Sequence, residues 1–464
     1  MEKALRLIAT TIVAICFVSG CATTSLFNPY PNQAKSYQSV IGAPAQQQEM
    51  ILTDLDKKRE KSDGMLYMME RARLLQLSNR FEESIEDFKL VITRFNERDA
   101  QAKISLTDLG NKGASTLTND NAIPYREYGF ERILVHHFQT LNYLALEKYE
   151  AAAVELRKAA LEQKIIEEQH HKAIAEAEEK AQEKEIDISG FDEHFSGMND
   201  YAADVKSAFQ IGYTFYVSAN LWESMGEFND ALVDYKKALE LNPENHFIQE
   251  DIGRVSYRLG LSRKKPKNPV NAARVVVWYE DGFIPSREEI SIPIPIISQG
   301  QVQSIIPIAF PVYHPAHFGA PSELTIINEE GNMISKTEQV SDMGALAVKS
   351  LKEQIPGMLV RQFIRAGAKH TLRQEAAGKM GALGNLGATL YNVVSEKADR
   401  RNWLTLPQYA HISSFHLAPK QQSITLKGSD GMAHSILIDS ANKATTFVRV
   451  VKANGQTVIQ QFQI

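Results

Sequence analysis

The sequence predicts an α+β multidomain chain: α-helical hairpin repeats in the N-terminal half, then a mostly antiparallel, sandwich-like β domain with a helical, glycine-rich insertion. Three observations predict it. From about residue 49 to 262, apolar residues recur at three and four spacing among strong helix formers. Past Lys264-Lys265-Pro266-Lys267-Asn268-Pro269 the chain turns to short β-branched runs bounded by turn residues. Between those runs, 342–397 returns to a helical pattern studded with glycine.

Residues 1–20 read as a lipoprotein signal peptide. Lys3 and Arg6 form a positive start, partly offset by Glu2, and Leu7 to Val18 is apolar or small apart from Thr10 and Thr11. Such a run fits a signal-peptide core and falls short of the ~20 residues a spanning helix needs. It ends at Val18-Ser19-Gly20-Cys21, which resembles the bacterial lipobox. Cys21 is therefore the expected lipidation site, carrying a covalent diacylglycerol and an N-acyl (palmitate-type) lipid, with no other cofactor. An ordinary secretory signal or a buried N-terminal strand is the alternative. Of the two cysteines, Cys16 would leave with the leader, so the mature chain has no disulfide to draw on and must be stabilised by burial. With 44% hydrophobic residues in 464, material for two cores is present. In Gram-negative lipoproteins, Asp after the cysteine retains the protein in the inner membrane. Ala22 stands there instead, which by that analogy points to the outer membrane, facing the periplasm.

Residues 21–48 read as a flexible tether, with Asn28-Pro29-Tyr30-Pro31, Pro44 and Gln46-Gln47-Gln48 and no sustained periodicity. In the helical part, 49–262, Gly226-Glu227-Phe228-Asn229-Asp230-Ala231-Leu232 followed by Tyr235, Ala238-Leu239 and Leu241-Asn242-Pro243 resembles the second helix of a tetratricopeptide repeat (TPR). Phe215, Ala219 and Trp222 supply the preceding helix. Small residues let two helices approach, aromatics fill the gap and Pro243 stops the second helix. Two weaker copies precede it, at Asn79-Arg80-Phe81-Glu82-Glu83-Ser84-Ile85 and Glu147-Lys148-Tyr149-Glu150-Ala151-Ala152-Ala153. A generic helical bundle is the competing reading. The charged stretch 162–187 is a strong helix former with few core residues, expected to prolong the second copy's helix into solvent. His170-His171 on it read as solvated surface, with a metal role as the alternative.

In the C-terminal part, 263–464, strands are expected at Arg274–Tyr279, Ile290–Ile297, Val302–Val312, Leu324–Ile327, Ser423–Leu426, Ser435–Ile438, Thr445–Val451 and Thr457–Ile464, with a turn at Glu329–Asn332. Pro293, Pro295, Pro307 and Pro311 indicate edge strands or bulges. Within the insertion, Pro356 should kink or end a helix. Arg361, Arg365, Lys369 and Arg373 recur every four residues as a basic stripe, and Gly378, Gly381, Gly384 and Gly387 follow at every third. Glycine at that density costs ~1 kcal/mol per residue against alanine, so a packed helix, a second subunit or lipid would have to compensate. A flexible or internally packed segment is the other reading.

Counting Lys and Arg against Asp and Glu, 21–262 carries −13 and 263–464 carries +7, which with +1 in the leader give the total of −5. The acidic bulk argues against a nucleic-acid partner. Walker-type, His-Glu-x-x-His and Gly-x-Ser-x-Gly patterns are all absent from the sequence. Glu288-Glu289 and Glu329-Glu330 are adjacent and would point apart. His314 and His317 flank Pro315, a two-ligand metal site at most. No enzyme activity is expected.

Two further strings, Asn119-Asp120-Asn121-Ala122-Ile123-Pro124-Tyr125-Arg126 and Asp399-Arg400-Arg401-Asn402-Trp403-Leu404-Thr405-Leu406-Pro407, complete a resemblance with the lipobox and repeats. The chain resembles an uncharacterised family of bacterial TPR-containing envelope lipoproteins. The resemblance implies a membrane-anchored protein–protein interaction scaffold in cell-envelope biogenesis, with envelope partners that include the peptidoglycan synthesis machinery. Asn119-Asp120-Asn121 reads as a capped turn or a site, and Trp403 as a core anchor or a ligand platform. On TPR precedent, Tyr213, Tyr216, Asn220 and Glu223 face the partner groove, so alanine at Tyr213 and Asn220 should weaken capture without unfolding the protein. A structural subunit of a membrane-associated homo-oligomer, or a cryptic peptidoglycan-acting enzyme, are the alternatives.

Overall fold

The structure, a computed structural model, describes residues 30–105, 124–183, 193–266, 272–298, 301–365, 397–441 and 444–464. Its helices are α1 (Ala34–Gln38), α2 (Ala45–Asp56), α3 (Gly64–Leu77), α4 (Phe81–Ser105), α5 (Gly129–Ala145), α6 (Tyr149–Glu183), α7 (Ser196–Tyr201), α8 (Gly212–Ser224), α9 (Phe228–Leu241) and α10 (His246–Arg258). A further helix, α11, covers 343–365. The three sequence copies become three hairpins, α3–α4, α5–α6 and α8–α9, and all three turn in the same way. Asn79, Glu147 and Gly226 have φ of 59°, 56° and 85°. The next N–H then reaches back five residues: Arg80 to the Leu75 carbonyl at 2.9 Å, Lys148 to Tyr143 at 2.8 Å, Glu227 to Trp222 at 2.8 Å. This left-handed stop satisfies carbonyls the helix leaves open. Glycine enters it freely at 226, whereas Glu147 carries a side chain there at a cost. The small residue that each copy places one turn later, Ser84, Ala152 or Ala231, is buried. The Ser84 hydroxyl crosses the hairpin to the Ala72 carbonyl at 2.7 Å.

The strands are β1 (Ala273–Phe283), β2 (Glu288–Ser298), β3 (Gln301–Val312), β4 (Leu324–Ile327), β5 (Met333–Lys336), β6 (Glu338–Asp342), β7 (Pro407–Leu417), β8 (Gln421–Gly428), β9 (Ala433–Asp439), β10 (Thr446–Ala453) and β11 (Gln456–Gln463). They form a five-stranded sheet β11-β10-β1-β7-β6, a four-stranded sheet β5-β4-β8-β9 and a two-stranded ribbon β2-β3. Only β1 with β10 is parallel; the other pairings are antiparallel. Strand alternation divides the five-stranded sheet into two working faces. Val275, Val277, Tyr279, Val448 and Val450 pack on Leu324, Ile326, Ile424, Leu426 and Ile438 of the second sheet. Val276, Trp278, Ala410, Ile412 and Phe447 join the helices in one continuous core. The order of layers is helices, sheet, sheet.

Several expectations are corrected. The main core is shared by the two halves, because the helix-facing side of the sheet carries Val276, Trp278, Ile412 and Phe447 beside its charges, and a second core lies between the two sheets. The expected tether 21–48 is folded from residue 30 onward: Tyr30 and Tyr37 are 5% and 2% exposed, and the Tyr30 hydroxyl donates to Glu70 at 2.6 Å. Of the two outcomes expected at Pro356, a kink or a helix end, the end is corrected: α11 runs through it. The charged stretch does extend α6, but it is partly covered, with Ala177 and Ala181 buried and the His170 ring 5.7 Å from that of Phe209. Trp403 is fully buried between Phe88 and Phe138. Cys21, Asn119-Asp120-Asn121 and the four glycines at 378 to 387 lie outside the described residues.

Candidate interaction site

The third hairpin meets the sheet at its first residue. A Cβ on Gly212 would lie 2.6 Å from the Val340 carbonyl oxygen of β6, and the Tyr213 N–H donates to Ser341 Oγ at 2.9 Å. Helix α8 therefore begins in contact with strand backbone, and its inner face lies along the sheet. Tyr213, Tyr216 and Asn220, expected to line an open groove, are each fully buried, and the Glu223 side chain is only 11% exposed. That groove assignment is corrected. The face that a repeat can offer to a foreign peptide is here covered by the chain's own strands.

Polar side chains join the two layers in two clusters. In the first, Glu223 accepts from Arg254 Nε and Nη2 at 2.8 and 2.6 Å and from the Tyr235 hydroxyl at 2.8 Å. Arg274, projecting from β1, donates to Glu223 at 3.1 Å, to Asp251 at 2.8 Å and to Ser414 at 3.1 Å. The Tyr216 hydroxyl donates to Asp251 at 2.9 Å, and the Asn220 side chain donates to the Tyr216 carbonyl at 2.7 Å. Burial works to raise the Glu223 carboxyl, but Arg274 and Arg254 outweigh it and hold the group at about 2. Two acids and two arginines here neutralise each other.

The second cluster has no such balance. Glu280 of β1 lies between Arg73 of α3 and Arg449 of β10, all three with side chains 0% exposed. Arg449 Nε donates to Glu280 at 2.7 Å, Arg73 pairs with the other carboxylate oxygen, and the Tyr213 hydroxyl donates at 3.1 Å. Gln76 accepts from both guanidiniums, at 2.6 and 3.1 Å, and donates to Asn142 at 2.7 Å. Burial favours a protonated Glu280, yet Arg449 and Arg73 hold it at about 2. Desolvation pulls Arg73 down to about 10 despite its partner, so it stays charged at neutral pH while the cluster keeps part of its burial cost. Burial also lowers His137 to about 3. Two cations to one carboxylate, inside a core, is tolerable only while every one of these contacts holds.

Residues 213–245 match the tetratricopeptide repeat family. No curated protein and no solved structure matches the chain. The match coincides with α8 and α9 and their turn, the copy nearest consensus, and the repeat points to a protein–protein interaction role.

The remaining sequence-derived residues are placed as follows. Arg361 is exposed but Arg365 is 3% exposed, beside Gln362 at 3.2 Å, so the two do not share a solvated stripe. Lys369 and Arg373 lie outside the described residues. His170 Nε2 is 3.4 Å from Glu353, and the His314 and His317 rings are 5.2 Å apart. Among the described residues no group of three His, Cys, Asp or Glu could hold a metal ion, and no helix is long and apolar enough to cross a membrane. Glu280 and Arg449 are absent from the sequence expectations, although each carries a signal: a charge directly beside Val, Tyr or Phe-rich stretches of its strand, in β1 next to Asp281 and in β10 three residues before Lys452.

Proposed function

We propose that the protein is an outer-membrane-anchored periplasmic lipoprotein that acts, without catalysis, as a scaffold for protein–protein interaction in cell-envelope biogenesis. The observation that carries the interaction reading is the division of the hairpins into two faces. The inner face of the matched repeat is committed to the chain's own sheet, while the second helices of two hairpins turn apolar side chains outward. Val154 and Leu161 on α6 are 45% and 58% exposed, and Val233 on α9 is 51% exposed. Residues seven apart on a helix share a face, so Val154 and Leu161 form one stripe. The partner therefore docks on the outside of the helical layer.

The location rests on the leader and on Val18-Ser19-Gly20-Cys21-Ala22, with lipid on Cys21 as the anchor. The envelope partner, within the peptidoglycan synthesis machinery, rests on the family resemblance. Photo-crosslinkers at Val154 and Leu161 in intact cells should capture one defined envelope protein, and Val154→Asp with Leu161→Asp should abolish that capture at unchanged melting temperature. Undiminished capture by the double variant rejects the outer-face reading. Palmitate incorporation that survives Cys21→Ala rejects the anchor.

A further inference from the structure

The ribbon β2–β3 pairs with no other strand among the described residues. Its root is fixed in the core: Ile292 and Ile308 stand opposite each other and are 3% and 1% exposed. From there the ribbon runs on for six more residue pairs, to Ser298–Gln301, a length of about 20 Å at the rise of a strand. A two-stranded ribbon is marginal in water by itself. Ribbons exposed to water usually carry Lys or Glu, which keep their edges from recruiting another strand. This one carries Glu288 and Glu289 only at its root and neither residue type beyond it. From Ile290 to Ser322 the sequence contains no Asp, Glu, Lys or Arg. On the face away from the core, Ser291, Pro293, Ile305 and Pro307 are exposed, Ile305 by 65%.

The edges are closed by another device. Pro293 stands opposite Pro307, a pair with no N–H to exchange, so the ladder bonds belong to the flanking pairs Ile292–Ile308 and Ile294–Ile306. Backbone groups at 289, 291, 293 and 295, and at 305, 307, 309 and 311, then point out of the ribbon. Four of these eight positions are proline: Pro293, Pro295, Pro307 and Pro311. An edge lacking half its donors cannot add a strand from another chain. The same gaps leave outward carbonyls unpaired, which hydrocarbon does not tolerate. Strand addition and membrane spanning are thus both disfavoured, and the surface that accepts an uncharged apolar tip with partly hydrated backbone is the lipid headgroup boundary.

Position in the fold agrees. The described chain begins at Tyr30, whose ring lies 5.7 Å from that of Tyr67 in α3. Asp63, just before α3, pairs with Arg401, Arg401 with Asp399 at 2.7 Å, and the Ala398 N–H with Glu289 at the ribbon root at 2.7 Å. A chain of contacts therefore links the ribbon root to the neighbourhood of Tyr30. The eight residues between Cys21 and Tyr30 reach at most about 30 Å.

We propose that the β2–β3 ribbon is a membrane-contacting element that seats the uncharged surface around Pro293, Ile305 and Pro307 in the lipid headgroup boundary. The inference does not require the anchor at Cys21; together the two would hold the ribbon against the bilayer. The test uses the full chain with a diazirine amino acid at 305, and separately at Leu437, 54% exposed on the outer sheet, mixed with vesicles of phosphatidylethanolamine and phosphatidylglycerol. Photolysis and mass spectrometry should show phospholipid adducts at 305 at least tenfold above those at 437. Ile305→Asp should lower vesicle flotation severalfold at an unchanged melting temperature, measured on chain carrying Cys21→Ala so that an anchor cannot mask the loss. Adducts at 305 to a second copy, to residues 366–396 of the same chain, or to solvent alone overturn the proposal. Lipid adducts at 305 with an unmodified Cys21 would uphold it while removing the anchor.

Discussion

Glu280→Gln tests the buried joint between helices and sheet. The substitution keeps the shape of the side chain and removes its charge, leaving Arg73 and Arg449 without a counterion at 0% exposure. Breaking a buried pair by removing one partner costs about 3–5 kcal/mol. A second route gives a similar figure. Holding the carboxyl at about 2 instead of 4.5 corresponds to roughly 3 kcal/mol of preference for the charged form. The unfolding entropy of a chain this long, 464 residues, is about 1 kcal/mol per degree. If the shared core makes the protein melt as one unit, the midpoint falls by about 3–5 °C; if a β half of about 200 residues melted alone, it would fall by about 7–12 °C. The assay is differential scanning calorimetry at pH 7, with Glu288→Gln, whose side chain is 48% exposed, as the silent control. The pH dependence has a definite sign. A depressed carboxyl stabilises the fold above its unfolded value near 4.5, and that contribution is lost as pH falls from there toward 2. The variant should therefore lose stability at pH 7 and lose less on acidification. A Glu280→Gln midpoint within 1 °C of the parent would refute the reasoning.

Other outcomes follow from the same geometry. Burial raises Glu70 to about 7 despite donors from Tyr30, Thr405 and Leu404. Its contribution is thus present below pH 4.5 and lost as pH rises through 7, the reverse of Glu280, and Glu70→Gln should flatten the stability profile between pH 5 and 7 in urea titrations. Tyr213→Ala should cost about 3–5 kcal/mol by urea denaturation, the price of a large cavity in a core; an unperturbed midpoint would restore the open groove. Gly212→Ala should cost about 1–3 kcal/mol, because its methyl meets the Val340 carbonyl. Glu147→Gly, at a φ of 56°, should stabilise by up to about 1 kcal/mol, visible as a raised melting point.

Much of the architecture was legible because it rests on local periodicity. The three hairpins carry the same succession of turn, aromatic and small residue. Most strands advertise themselves with Val and Ile, as at Val275-Val276-Val277 and Phe447-Val448-Arg449-Val450-Val451. Strand β7 was missed because Gln408, His411, Ser413, Ser414 and His416 interrupt its apolar pattern; it sits between β1 and β6, where cross-strand pairing rather than side-chain character fixes it. The folding of residues 30–48 was missed because Tyr30 and Tyr37 are anchors spaced among polar residues, and the partners of Tyr30, Glu70 and Tyr67, are far away in sequence. The groove was misplaced for a different reason. Repeat periodicity says which face of a helix turns inward, but it does not say whether the occupant comes from another chain or from the same one. Here the occupant is the five-stranded sheet, and the local trace of it is a few charges, Arg274, Glu280 and Arg449, set on the helix-facing side of largely apolar strands.

Hydrogen exchange read by mass spectrometry on peptides covering α8 and β1 tests most directly whether the sheet closes the repeat groove. If it does, amides of 212–224 and 273–283 in the isolated full-length protein exchange through one common opening, slow in both and accelerated together by Glu280→Gln. Fast exchange confined to 212–224 while 273–283 stays protected would mean that the groove stands open and awaits a partner.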